Sequence, residues 1–150
     1  MKNLIARAEV TIDAPVAEVW EGLVNPDLIR RYMFGTIVEA EWREGGRIVW
    51  RGEWLGRKYE DRGRILAVSP GRFLKYSHYS PLSGLPDAPE NYHIVTVGLV
   101  PRGNGTLVTL SQDNNPDDES RRHSEQNWNM VLDGLKKIAE SGMLRSKKPA

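Results

Sequence analysis

The sequence predicts an α+β domain: one curved antiparallel sheet of seven strands, two short helices after the first strand, and a long C-terminal helix across the concave face. Three features of the 150 residues lead there. An opening strand gives way abruptly to helix at "TIDAPVAEVW". A run of alternating segments follows, broken by glycine-bearing turns, and a long amphipathic segment comes last.

From Leu4 to Ile12 the even positions read Leu4, Ala6, Ala8, Val10 and Ile12, and the odd ones Ile5, Arg7, Glu9 and Thr11. Period two with one wet face is a strand. Pro15 has a fixed φ that suits the first position of a helix, and Val16, Val19, Trp20 and Leu23 follow at helical spacing. Asn25-Pro26-Asp27 repeats the device as cap, proline and first-turn acid before Leu28, Ile29, Tyr32 and Met33.

Beyond Gly35 the alternation predicts strands at 36–42, 46–54, 57–68, 72–79, 92–101 and 105–113. The turns "REGG", "LGR", "SPGR" and "RGNG" place glycine where positive φ is needed, which makes the strands a meander of hairpins. "SPLSGLPDAPEN", Ser80 to Asn91, is too long for a tight hairpin and reads as a gate or as an idle insertion. Asn115-Pro116 supplies cap and first position for a helix from Pro116 to Ser141, with acids Asp117, Asp118 and Glu119 at its positive end and Lys136 and Lys137 at the other. Trp128, Val131, Leu132, Leu135 and Ile138 share one face. At ~1.5 Å per residue this helix spans about 40 Å, enough to cross a sheet. Gly142 is placed to end it, so residues 1–143 read as one domain and 144–150 as a basic, mobile tail.

Composition bounds the chemistry. The chain has no cysteine, which removes disulfides, thiolate metal sites and a cysteine nucleophile. No apolar run approaches the ~18 residues of a membrane span and the start lacks a signal core, so the expected location is the cytoplasm. The net charge of +1 hides a basic stretch in which Arg43, Arg47, Arg51, Arg57, Lys58, Arg62, Arg64, Arg72 and Lys75 outnumber nearby acids. Near-neutral overall charge argues against nucleic acid as its partner and for an acidic protein surface.

The segments "APVAEVWEGLVNPDLIRRYM", "GGRIVWRGE", "YEDRGRILAVSPGRFLKYSH", "GTLVTLSQ" and "SEQNWNMVLDGLKK" together resemble the SRPBCC superfamily, the START-like helix-grip proteins. Within it they are most similar to the branch named after the activator of heat-shock-protein-90 ATPase. The resemblance implies that the opening stretch crosses from the first strand to helices closing one end of a cavity. Members are variously lipid or hormone binders, polyketide cyclases, co-chaperone domains and stress-related proteins, and a shared fold does not choose among them. The chain departs from the branch at Tyr32, where tryptophan is frequent, and at Asn127, where glycine commonly precedes the tryptophan of the last helix.

Alternation also assigns inward faces. Ile48, Trp50 and Trp54 share one, followed by Tyr59, Asp61, Gly63 and Ile65, then Leu74, Tyr76 and His78. Val95, Val97 and Leu99 face them, with Val108 and Leu110, under Trp128, Val131 and Leu132. The candidate ligand-binding residues are therefore Trp50, Trp54, Tyr59, Asp61, Tyr76, His78, Val95, Val97, Trp128 and Leu132, an aromatic wall with a few polar groups. The same positions suit plain core packing, and Asp61 in "YEDR" could equally pair with a neighbouring arginine at the surface. His78, His93 and His123 lack metal-ligand spacing, and the serines lack a nucleophile elbow. No metal, cofactor or catalytic signature is expected. An apolar small-molecule binder is the first functional reading, a cyclase-like enzyme the second and a co-chaperone-type interaction domain the third; monomer and homodimer stay open.

Overall fold

The computed structural model describes residues 3–141. Gly142, the basic tail and the side chain of Trp54 lie outside the described residues.

All seven expected strands and three α-helices form. The order is β1 (Leu4–Ile12), α1 (Val16–Val24), α2 (Pro26–Tyr32), β2 (Ile37–Ala40), β3 (Arg47–Trp54), β4 (Arg57–Ser69), β5 (Phe73–His78), β6 (His93–Arg102), β7 (Gly105–Asn115) and α3 (Asp118–Glu140). Two single 3₁₀ turns, Pro81–Ser83 and Pro89–Asn91, interrupt the connection from β5 to β6. The sheet runs β1-β7-β6-β5-β4-β3-β2, with every neighbouring pair antiparallel. Only β1 breaks sequence order, since α1 and α2 carry the chain from one edge of the sheet to the other.

The helix starts differ from expectation in two places. Pro15 precedes α1 as its cap, in extended conformation with ψ 153°, instead of occupying the first helical position. At α3 the cap is Asp117, whose side chain accepts from the Ser120 amide at 2.7 Å, and not Asn115. Asn115 is buried in β7, where its amide donates to the Leu4 and Gln112 carbonyls and its oxygen accepts from Ser124. A side chain so engaged cannot cap a helix. At α2 the expected cap holds, with Asn25 Oδ1 accepting from the Asp27 amide.

α3 is held by both its faces. Val131, Leu132, Leu135 and Ala139 bury against Val97, Leu99, Val108 and Leu110 in one core. Each of these valine and leucine side chains contributes about 1.5–3 kcal/mol on leaving water. Its flank tends the open edge of β1: the Arg7 amide donates to Glu125, the Asp13 amide to Glu140, and Lys136 Nζ to the Thr11 carbonyl. Unpaired edge groups are thus covered by side chains of the gripping helix. The helix comes close to α2 at Gly134, where a Cβ would stand 2.8 Å from that of Tyr32. Tyr32 itself donates to the Gly22 carbonyl at 2.7 Å, so the hydroxyl at this departure from the branch is satisfied inside the core.

Candidate functional site

Between α3, the end of α2 and the concave face of β3 to β7 lies a half-open pocket of about 590 Å³. Alternation builds it. Trp50 on β3 stands opposite Asp61 on β4, Tyr76 on β5 opposite Val95 on β6, His78 opposite His93, and Val95 opposite Gln112 on β7, all with side chains on the lined face. Trp128 and Val131 close it from α3, and Met33, Phe34 and Thr36 from the turn after α2.

Of the residues singled out above, the fold brings together Trp50, Tyr59, Asp61, Tyr76, His78, Val95 and Trp128. Val97 and Leu132 do not reach this pocket. They line a deeper apolar crevice of about 50 Å³ with Leu110 and Leu135, well below the ~300 Å³ where small-molecule sites begin. Sequence reasoning left out His93, Gln112, Ser124 and Asn127, though the signal was present. His93 shares parity with Val95, and Gln112 with Leu110, while Ser124 and Asn127 share a helical face with Trp128 and Val131. Extending each pattern by one step would have found them. Ser80 and Leu82 are on the lining too, from the long β5–β6 connection.

The aromatic wall is a contiguous stack. Between centroids Trp50 meets Tyr76 at 5.3 Å and His78, in a T-shaped pair, at 4.9 Å, and His78 lies 6.5 Å from His93. Burial holds the Tyr76 hydroxyl well above the ordinary tyrosine range, so it remains neutral. Trp128 Nε1 donates to Gln112 Oε1, and Tyr59 lies across Gly52 to share a 2.6 Å hydrogen bond with Thr36.

Asp61 does not pair with an arginine. Arg62 turns outward to Asp87 at 3.4 Å, while Asp61 Oδ2 lies 2.8 Å from His78 Nε2. The local cause is Gly63, where a Cβ would meet the Ser77 carbonyl at 1.7 Å. Only glycine lets β4 and β5 approach there, which brings the two polar side chains within reach. A carboxylate accepts and does not donate, so His78 Nε2 is the donor in this pair. His93 Nδ1 likewise donates to the Asp113 carbonyl at 2.8 Å. Among the described residues no group of three or more His, Asp or Glu is arranged to hold a metal ion.

The connection over the pocket is fastened at its base. Tyr79 donates to the Leu85 carbonyl at 2.6 Å, Tyr92 to Asp87 at 2.7 Å, and the two rings are 5.4 Å apart.

The sequence matches a known family: the model for activator of Hsp90 ATPase homolog 1-like proteins covers residues 13–140. The chain belongs to that family. It is 51% identical to ChR145 from Cytophaga hutchinsonii, whose solution structure superposes with a TM-score of 0.83 over 96% of this chain and 99% of that one. CV1439 from Chromobacterium violaceum is 22% identical over 91% of this chain and 96% of its own, with a TM-score of 0.74. A protein described as the Aha1 dimer from Colwellia psychrerythraea is 17% identical over 93% and 98%, at 0.71. These more distant two share the fold. No curated protein matches the chain. The assignment agrees with the resemblance read from the motifs, and among the described residues no helix is long and apolar enough to cross a membrane.

Proposed function

We propose that this member of the family binds an apolar small molecule, aromatic or lipid-like, in the pocket between sheet and α3, with the connection 80–91 governing access. The carrying observation is the pocket itself. Its volume of about 590 Å³ falls within the ~300–1,000 Å³ of small-molecule sites, and its wall combines aromatic and aliphatic side chains with polar ones such as Asp61, His78 and Gln112. Family membership supports the reading, since this fold commonly binds ligands. Native mass spectrometry of the purified protein beside a denatured control tests it. The expected result is a noncovalent adduct lost on denaturation and weakened at least tenfold by Trp128→Leu, with the fold intact. A bare mass, together with no binding of aromatic or lipid-like probes by calorimetry, would overturn it.

The Asp61–His78 pair favours one further reading, an enzyme of the cyclase kind that orients a reactive chain and moves a proton at His78 Nδ1. In that case His78→Gln abolishes turnover of polyketide-like substrates while preserving their binding; wild-type protein without turnover removes the reading. An acidic protein partner on the arginine face has less support, because Arg51 is already paired with Glu39 and Glu60, and Arg62 with Asp87.

A further inference from the structure

The pocket lining carries a single carboxylate. Asp61 is the only acid on the described lining, and no lysine or arginine is on it. The ring N–H groups of His78 and His93 are both engaged, with Asp61 and with the Asp113 carbonyl. Gln112 Oε1 is already taken by Trp128.

Asp61 is also under-compensated. Its side chain is 15% exposed, it makes one side-chain hydrogen bond, and its buried Oδ1 has no partner. A negative charge withdrawn from water and held by one hydrogen bond to a ring gains from any cation brought near it. Trp50, opposite it across the ladder, and Tyr76 share the lining with it, and aromatic rings attract a cation in their own right. A carboxylate or phosphate arriving beside Asp61 would meet like charge, with no lysine or arginine on the described lining to offset it.

We infer that the ligand is a protonated amine carried on an aromatic body, with the ammonium group at Asp61 and His78 and the body along Trp50, Tyr76 and Trp128. The inference rests on the pocket reading and narrows it, setting aside fatty acids, phospholipid headgroups and aromatic acids. The Asp61 carboxylate and the rings select the charge; the pocket's volume selects the body.

Calorimetric titration of the whole protein at neutral pH with three matched probes tests this: 2-(1-naphthyl)ethylamine, 2-(1-naphthyl)ethanol and 1-naphthylacetate. The expected order is amine over alcohol over acetate, with the amine at least about tenfold tighter than the acetate, the scale of one charge-assisted hydrogen bond. Asp61→Asn keeps the shape and removes the charge. It is expected to weaken the amine about tenfold or more and to move the alcohol by less than about threefold, amide shifts at Asp61 and His78 marking the site. Acetate binding as tightly as the amine in the wild type, or an Asp61→Asn variant that holds the amine unchanged, would overturn the charge selection while alcohol binding left the pocket reading standing. Failure of all three probes would overturn the inference, while the native mass and lipid-like probes would still decide the pocket reading. The wild-type comparison needs no variant, so a poorly folded Asp61→Asn protein does not blunt the test.

Discussion

Tyr32 and Tyr76 are buried, and burial is the main cause that pushes both hydroxyls above the usual tyrosine range. For each, the folded chain favours the neutral form more than the unfolded chain does. The associated stability is fully present below the unfolded value of about pH 10 and is lost as pH rises toward the higher folded value. The urea midpoint is therefore expected to fall steadily above about pH 10. Tyr76→Phe should flatten that slope, and a slope unchanged in this variant would contradict the assignment. Tyr32→Phe should flatten it too, and in addition cost about 1 kcal/mol at neutral pH, since the buried Gly22 carbonyl loses its donor. At this scale Asp61 was the least legible residue. Its neighbours in "YEDR" offered it arginines, and only the approach of β4 to β5 chose His78 instead.

That approach is a property of two elements. β4 and β5 pair from Ile65 with Tyr76 to Ser69 with Phe73, with a register shift between Ile65 and Ala67, and meet again at Arg62 and Tyr79. Gly63 lies between, against backbone that has no freedom to move aside. Gly63→Ala should destabilise the fold by about 3 kcal/mol or more, at the upper end of overpacking costs, and should separate Asp61 from His78. Equilibrium denaturation measures the first effect and the His78 ring resonances the second; a variant as stable as the parent would show that the strands can part without cost. The turn after α2 carries strain of another kind. Phe34 and Gly35 both sit at positive φ, 56° and 81°, and a bulky residue in that region is uncommon. The turn aims Phe34 at the pocket rim, a position no periodicity foretells, because helical and strand patterns both stop there.

Over the whole molecule α3 is the element without which the sheet has no second layer. It supplies Val131, Leu132, Leu135 and Ala139 to the core and the side chains that cover the β1 edge. A chain ending at Asn115 is expected not to fold, giving collapsed amide dispersion and no cooperative melting. A cooperative transition in that fragment would mean that the sheet and the two short helices hold a core by themselves.

Seven strands, three helices and their order were legible from the sequence because period two, period 3.6 and turn chemistry are local signals, read within a dozen residues. The inward parity of Trp50, Asp61, Tyr76, His78 and Val95 was legible for the same reason. What parity cannot carry is depth. Val97 and Leu132 share the pattern of Val95 and Trp128, yet lie under the pocket floor, since depth depends on where α3 crosses the sheet. The cap of α3 moved from Asn115 to Asp117 for a related cause, a contact with Leu4 that is 111 residues away in the chain. Local alternation fixed which face each side chain takes; the crossing of the helix and the squeeze at Gly63 decided which of them meet.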